Sequence, residues 1–395
     1  MLIFKPHFPR LRNLTAALAV CGLLAALPGA AVAQQDGEEI ESAKLETAIV
    51  GLAGEFVKYL TANAIEEVVV GPYTGPPGTS AGPRIVKLLK EQLAGKVEVV
   101  DSGACGISGK YRGTKTDEGR FAVVISTTIC DELGAELQEL STLVVTSEEE
   151  GLTFMGATAE LPLEAVASSG QSPDQALTEA RADAVVESVI DPAAAVSGGV
   201  VRSAPDSPYA IEILIKTPEG FQPLIAGDDR GVAQVDVGRD QVYAVKLIND
   251  SDEPAGVALT IDGINVLAFS ENPAFRELGK WVIPPKSAGL IEGWHHVGPT
   301  FHSFLVTSYG ESAAAKLGSV DNIGTITAVF TAAFQGNQPP ADEPQSGALD
   351  RDQSATGLGP PVEREIKTMP VSFGVVRSAV SVRYTKPDLS DLPPE

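Results

Sequence analysis

From residue 45 to residue 145 the apolar positions alternate between two periods. Leu45, Ile49, Leu52, Phe56 and Leu60 recur at steps of four, three, four and four, which puts them on one face of a helix. Val68, Val69 and Val70 form a short apolar run stopped by Gly71 and Pro72, the pattern of a buried strand. After a Gly- and Pro-rich loop, Ile85, Leu88, Leu89 and Leu93 mark a second helix ended by Gly95. Residues 96–101 read as another strand. A hairpin follows, with strands near 105–112 and 121–130 around the turn Thr116-Asp117-Glu118-Gly119, and 135–145 is expected to extend the sheet. This order predicts a small mixed α/β sheet domain over 44–165.

The pattern then changes. A helix is expected over 172–190, with Pro173 in its first turn and Ala176, Leu177, Ala180 and Ala184 on one side. It sits in a stretch, 166–207, that reads as a helical and flexible linker because Asp191-Pro192 and Gly198-Gly199 break it. From 210 to 334 the period is that of β structure. Candidate strands are 211–216, 241–248, 257–261, 281–284, 290–294, 304–307 and 326–334, punctuated by Asn249-Asp250-Ser251 and Asp262-Gly263. Short strands so spaced predict an antiparallel β-sandwich over 208–335. Residues 336–361, rich in Gln, Pro, Gly and Asp, read as a disordered spacer. Strand character returns at 378–384, within a segment 362–386 expected to rejoin the sandwich, and 387–395 reads as a disordered tail. The fold class is therefore α+β in two domains.

The first 33 residues fit neither domain. Lys5, Arg10 and Arg12 precede an apolar stretch from Leu14 to Leu27, and Pro28-Gly29-Ala30-Ala31-Val32-Ala33 is a small-residue site. These are the three parts of a secretory signal cleaved after Ala33; the apolar stretch is shorter than the roughly 20 residues that span a bilayer. Lipidation at Cys21 would need a better residue than Val20 before it. Residues 34–43 read as a disordered acidic leader. The chain carries a formal charge of −23, and losing the three bases of 1–33 takes it to −26. Such an acidic protein repels nucleic acid and anionic headgroups. No later segment is apolar enough to span a membrane, and a periplasmic or secreted location is expected.

Two cysteines follow the signal, Cys105 and Cys130. In an exported chain an even pair reads first as a disulfide, the alternative being two buried free thiols. A hairpin around 116–119 pairs residues whose numbers total 235, as 105 and 130 do, to within one residue. Closing such a loop contributes about 3 kcal/mol in the chain-entropy model.

Two resemblances add to this reading. The run from Ala81 to Leu89, a strand ending at Asp101, Ile107-Ser108-Gly109-Lys110-Tyr111, and the run from Ile129 to Leu137 resemble the α/β domain of the curli-secretion and penicillin-binding-protein-activator lipoproteins. That resemblance implies a periplasmic module that binds partner proteins. Ile261-Asp262-Gly263-Ile264-Asn265-Val266, Trp281-Val282-Ile283-Pro284-Pro285, Glu292-Gly293-Trp294, Ala313-Ala314-Ala315-Lys316 and Val380-Ser381-Val382-Arg383-Tyr384 resemble an uncharacterised group of exported bacterial β-sandwich domains. This second resemblance implies a fold and no activity. Members of the group often place basic residues where this chain has His295-His296.

Candidate chemistry is sparse. In the loop from Gly75 to Gly82 a phosphate-binding loop would need a second Gly, a Lys and a hydroxyl where Ser80, Ala81 and Gly82 stand; no nucleotide partner is expected, and the loop reads as a flexible connection. Gly78-Thr79-Ser80-Ala81-Gly82 has the letters of a nucleophile elbow, but its strand does not run straight into Ser80 and the domain has no His to act as base. His295, His296 and His302 lie close enough in sequence to suggest zinc; a solvated loop is the plainer reading, and neither metal nor cofactor is expected. Asn249-Asp250-Ser251-Asp252-Glu253 lacks the spacing and central Gly of an EF-hand loop and reads as a charged turn. Trp294 is either a binding aromatic or a strand-end core residue. The expectation is an exported, non-catalytic envelope or extracellular protein-binding accessory factor; the alternative is a secreted hydrolase, zinc-dependent or not, using the region of His295, His296 and His302.

Overall fold

The computed structural model describes residues 45–306, 323–336, 338–344, 355–358 and 368–385. The expected signal at 1–33, the leader at 34–43, the tail at 387–395 and the 313–316 motif lie outside the described residues. The described residues all fall in one compact unit. Among the described residues the fold is mostly β, with five helices and three sheets, compatible with an α+β class. The helices are α1 (Leu45–Ala62), α2 (Gly82–Leu93), α3 (Glu148–Met155), α4 (Pro173–Ile190) and α5 (Pro273–Leu278).

The first sheet runs in the order Glu98–Val99, Glu67–Thr74, Cys105–Lys115, Phe121–Asp131, Glu136–Val145. Glu67–Thr74 is parallel to both its neighbours, and the remaining pairings are antiparallel. One face of this sheet is covered by helices. As the apolar period predicts, α1 buries Leu45, Ile49, Leu52, Phe56 and Leu60, and α2 buries Ile85, Leu89 and Leu93. α4 starts with a full capping box between Ser172 and Gln175. Its buried stripe runs through Ala176, Leu177, Arg181, Ala182, Val185 and Val189, not through Ala180 and Ala184. Val185 and Val189 join the same core as Tyr111, Phe121 and Ile125, because the helix lies across the hairpin of this sheet.

The second sheet has the order Gly293–Val297, Thr300–Leu305, Val242–Asn249, Tyr209–Thr217, Val200–Arg202, Ala195–Ser197, with Gly220–Pro223 and Ser287–Ile291 alongside. The third has the order Gly227–Asp229, Val232–Asp236, Thr368–Thr385, Ile323–Phe334, Ala255–Ile261, Ile264–Asn265, joined by Trp281–Ile283, Ala355–Leu358 and Ala159–Glu160. The single strand expected at 290–294 is two: Ser287–Ile291 pairs with Val242–Asn249, whereas Gly293–Val297 pairs with Thr300–Leu305.

Ala255–Ile261 is buried at every position. One side of it, Val257, Leu259 and Ile261, shares a core with Ile211, Ile213, Val245 and Leu247 of the second sheet. Its other side, Ala258, joins Val329, Val376 and Ala379 in the core that also holds α1 to α4. The third sheet is thus covered on both faces at Ala255–Ile261, which is why that strand is apolar or small at nearly every position.

The 166–207 stretch, expected as a linker, supplies α4 to one core and Ala195–Ser197 and Val200–Arg202 to the second sheet. Upstream, Ala159–Glu160 pairs with Ser378 and Ala379. The 336–361 stretch, expected as a disordered spacer, also contributes order where it is described. Glu343 is buried, accepts from the Val375 amide at 2.7 Å and pairs with Arg377 at 3.0 Å, and Ala355–Leu358 pairs antiparallel with the start of Thr368–Thr385.

The hairpin register corrects the expected disulfide: Cys105 and Cys130 are free thiols. Gly119, at φ +79°, closes a three-residue loop in which the Thr116 amide donates to the Arg120 carbonyl at 2.9 Å. This loop sets Cys105 opposite Asp131 and Cys130 opposite Gly106. The one-residue offset turns the two thiols to opposite faces of the sheet: Cys105 is buried toward the helices and Cys130 is half-exposed on the far side.

Candidate functional site

The strand Glu136–Val145 lies at the edge of the first sheet. It pairs with Phe121–Asp131 on one side, and no other strand among the described residues pairs with it. Opposite Ile129 and Cys130 the register shifts, so that Glu136 faces Cys130, Gln138 faces Ile129, and Leu137 is the extra residue. Val144 and Leu140 belong to the helix-covered core. Glu139, Ser141 and Leu143 stand opposite Thr128, Ser126 and Val124 on the other face, where Ser141 Oγ donates to Ser126 Oγ at 3.0 Å. Leu143 is 54 % exposed and Leu137 45 %.

The turn that leads into the strand is fixed by Asp131, whose Oδ1 accepts from the Leu133 amide at 2.9 Å and the Ala135 amide at 2.8 Å. Leu133 projects from it 87 % exposed. From 131 to 145 the chain holds Asp131, Glu132, Glu136 and Glu139 and no basic residue; Lys110 and Arg112, which stand opposite Ser126 and Val124, are the bases two strands away. An edge strand offers a row of backbone N–H and C=O groups for another strand. Here that row comes with exposed leucines and an acidic rim. The apolar pattern predicts this strand, but its edge position follows from the order of strands in the sheet, which periodicity does not encode.

The three histidines do not converge. His295 is fully buried, its ring edge-on to Phe275 at 5.4 Å, Trp281 at 6.3 Å and Phe301 at 5.3 Å. Its Nε2 lies 3.0 Å from the Gly298 carbonyl and its Nδ1 2.9 Å from Ser270 Oγ. A carbonyl only accepts, so Nε2 carries the proton and Nδ1 accepts from Ser270. Both ring nitrogens are therefore engaged, and the solvated-loop expectation fails for this residue. Burial, with the neighbouring His296 adding to it, lowers its pKa against the opposing pull of the Gly298 carbonyl. His296 and His302 sit at the surface with ring centroids 5.0 Å apart, and His296 Nε2 is 3.4 Å from Glu271 Oε1. No group of three His, Cys, Asp or Glu side chains arranged to hold a metal occurs among the described residues. Trp294 is half-buried, edge-on to Phe269 at 5.3 Å and Phe304 at 5.4 Å.

The 75–82 loop is pinned rather than flexible. Thr79 Oγ1 and Tyr111 Oη are 2.7 Å apart, the Gly78 amide donates to Val189, and Ser80 Oγ accepts from Thr325 Oγ1 at 2.9 Å. Arg383 donates to the carbonyls of Pro77 and Thr79, each at 2.8 Å. The 249–253 turn is likewise structural: Asn249 is fully buried and its Nδ2 donates to the carbonyls of Glu253, Ile283 and Pro284.

A cleft of about 480 Å³ opens between α2, α3 and the third sheet, lined by Arg84, Glu149, Lys280, Asn265, Thr260 and Thr331. Its charges answer one another. Arg84 meets Glu46 at 2.5 Å, and the buried Lys280 meets Glu149 at 2.8 Å while lying over the Phe373 ring. α3, which supplies Glu149, escapes the apolar-period reading. Ser147-Glu148-Glu149-Glu150 was its available signal: Ser147 Oγ accepts from the Glu150 amide at 3.2 Å, and Gly156 ends the helix at φ +61°.

Comparison of the chain with family models, with curated proteins and with solved structures gives no match. No helix among the described residues is long and apolar enough to cross a membrane.

Proposed function

We propose that this chain is an exported, non-catalytic envelope or extracellular accessory factor that binds another protein. The observation that carries the reading is the unpaired edge Glu136–Val145, which presents Leu137 and Leu143 to solvent. Export is supported by the leader pattern of 1–33, and the acidic charge of the chain favours protein over nucleic acid or anionic membrane as the target. We read 44–165 as an α/β domain and 208–335 with 362–386 as a β-sandwich, in keeping with the two resemblances; a partner-binding role is what the first of them implies.

The test is site-specific cross-linking in the native host. A photoreactive residue in place of Leu143 is expected to give a discrete adduct with one protein, identified by mass spectrometry. The same residue at Ile225, also highly exposed, is the control and is expected to give none. Identical adducts from both positions, or none from either, would overturn the reading.

A further inference from the structure

We infer that the Glu136–Val145 edge is completed by an extended strand of the partner in which basic and apolar residues alternate. This rests on the protein-binding reading above and adds the mode of binding and the chemistry of the partner.

The backbone sets the mode. A ten-residue edge can accept a strand along most of its length, with main-chain hydrogen bonds giving affinity and alternate side chains giving specificity. The two faces set the chemistry. On the helix-covered face the added strand would lie beside Leu140 and Val144, at the rim of the core, with Gln138 and Thr142 in the same row, so apolar side chains suit the positions next to Leu140 and Val144. On the other face it meets Glu136, Glu139, Ser141 and Leu143, with Leu137 exposed at the bulge between the two glutamates. Lys and Arg suit that face, because their charges pair with the carboxylates while their methylene stems cover the leucines. A strand's side chains point to opposite faces in turn, so the two requirements combine into strict alternation. A second copy of this chain is a poor occupant: each carries a formal charge of −23, and 131–145 holds no base to answer its four acids.

Three synthetic ten-residue peptides test this on the full chain by fluorescence anisotropy: one alternating Lys and Val, one alternating Glu and Val, and the Lys–Val peptide N-methylated at alternate residues. Amide hydrogen exchange locates the site. The Lys–Val peptide is expected to bind and to slow exchange within 136–145, the Glu–Val peptide to bind about tenfold more weakly or less, and N-methylation to abolish binding. The double variant Glu136→Lys, Glu139→Lys is expected to reverse the charge preference. Equal binding of both charges, indifference to N-methylation, no binding of any peptide, or protection elsewhere would overturn the inference. So would concentration-dependent self-association that protects 136–145 without peptide, which would give the edge to a second copy. If the peptides fail while Leu143 still cross-links a single protein, the protein-binding reading stands and only the partner chemistry falls.

Discussion

Arg181, fully buried on α4, donates from Nη2 to the carbonyl of Val376 at 2.6 Å. The same guanidinium donates from Nε to Glu148 on α3 at 2.7 Å and from Nη1 to the carbonyl of Pro162 at 2.9 Å. One side chain thus ties two helices and the chain leading to α4 onto the long strand Thr368–Thr385. Its charge is buried, but each arm of the fork has an acceptor, the condition under which such a charge is tolerated.

Removing that guanidinium leaves Glu148 and two carbonyls without their donor. Arg181→Ala is expected to cost about 3–5 kcal/mol, read as a lower urea midpoint in equilibrium unfolding. A change below about 1 kcal/mol would show that the fork is not what holds this junction.

A pH dependence follows from His295. Burial lowers its folded-state pKa, while in the unfolded chain the ring titrates near the ordinary value of about 6.5. Below that value the unfolded state binds the extra proton, so the stability the neutral ring contributes is present above pH about 6.5. It is lost as pH falls toward and through the folded pKa. The stability gap between the parent chain and His295→Gln is therefore expected to narrow from pH 7.5 to pH 5, measured by denaturant midpoints. A gap that stays constant or widens would contradict a buried neutral imidazole.

The hairpin register predicts separate fates for the two thiols. Burial, with the charge of Cys130 adding to it, raises the Cys105 pKa, which lowers its thiolate fraction. Timed alkylation of the native protein followed by peptide mass spectrometry should label Cys130 well before Cys105, and find both free. A Cys105–Cys130 cross-linked peptide in protein taken from its host would contradict the register.

The parts of this fold that were legible in the sequence are those set by local period. Leu45 to Leu60 marked α1, and the β pattern beyond residue 210 located Tyr209–Thr217, Val242–Asn249, Ala255–Ile261, Trp281–Ile283 and Ile323–Phe334 to within three residues, while the short strands Gly220–Pro223, Gly227–Asp229 and Val232–Asp236 escaped it. What escaped was set by distant contact or by small shifts. α3 is short and acidic, so its N-cap serine, Ser147, was its main signal. Ala180 and Ala184 were expected on the buried side of α4 where Val185 and Val189 stand, because the surface that buries the valines, the 105–131 hairpin, is remote in sequence. The disulfide failed by one residue, because Gly119 makes the loop odd in length. His295 read as loop because its cage of Phe275, Trp281 and Phe301 is assembled from separate segments. The edge position of Glu136–Val145, on which the candidate site depends, is a property of strand order alone.

The most direct measurement is amide hydrogen exchange on the protein bound to the partner captured at Leu143, compared with the free protein. Slowed exchange at alternate amides of 136–145, with the 293–305 hairpin of His296 and His302 unchanged, is the predicted result. Protection of that hairpin with none at 136–145 would contradict the account.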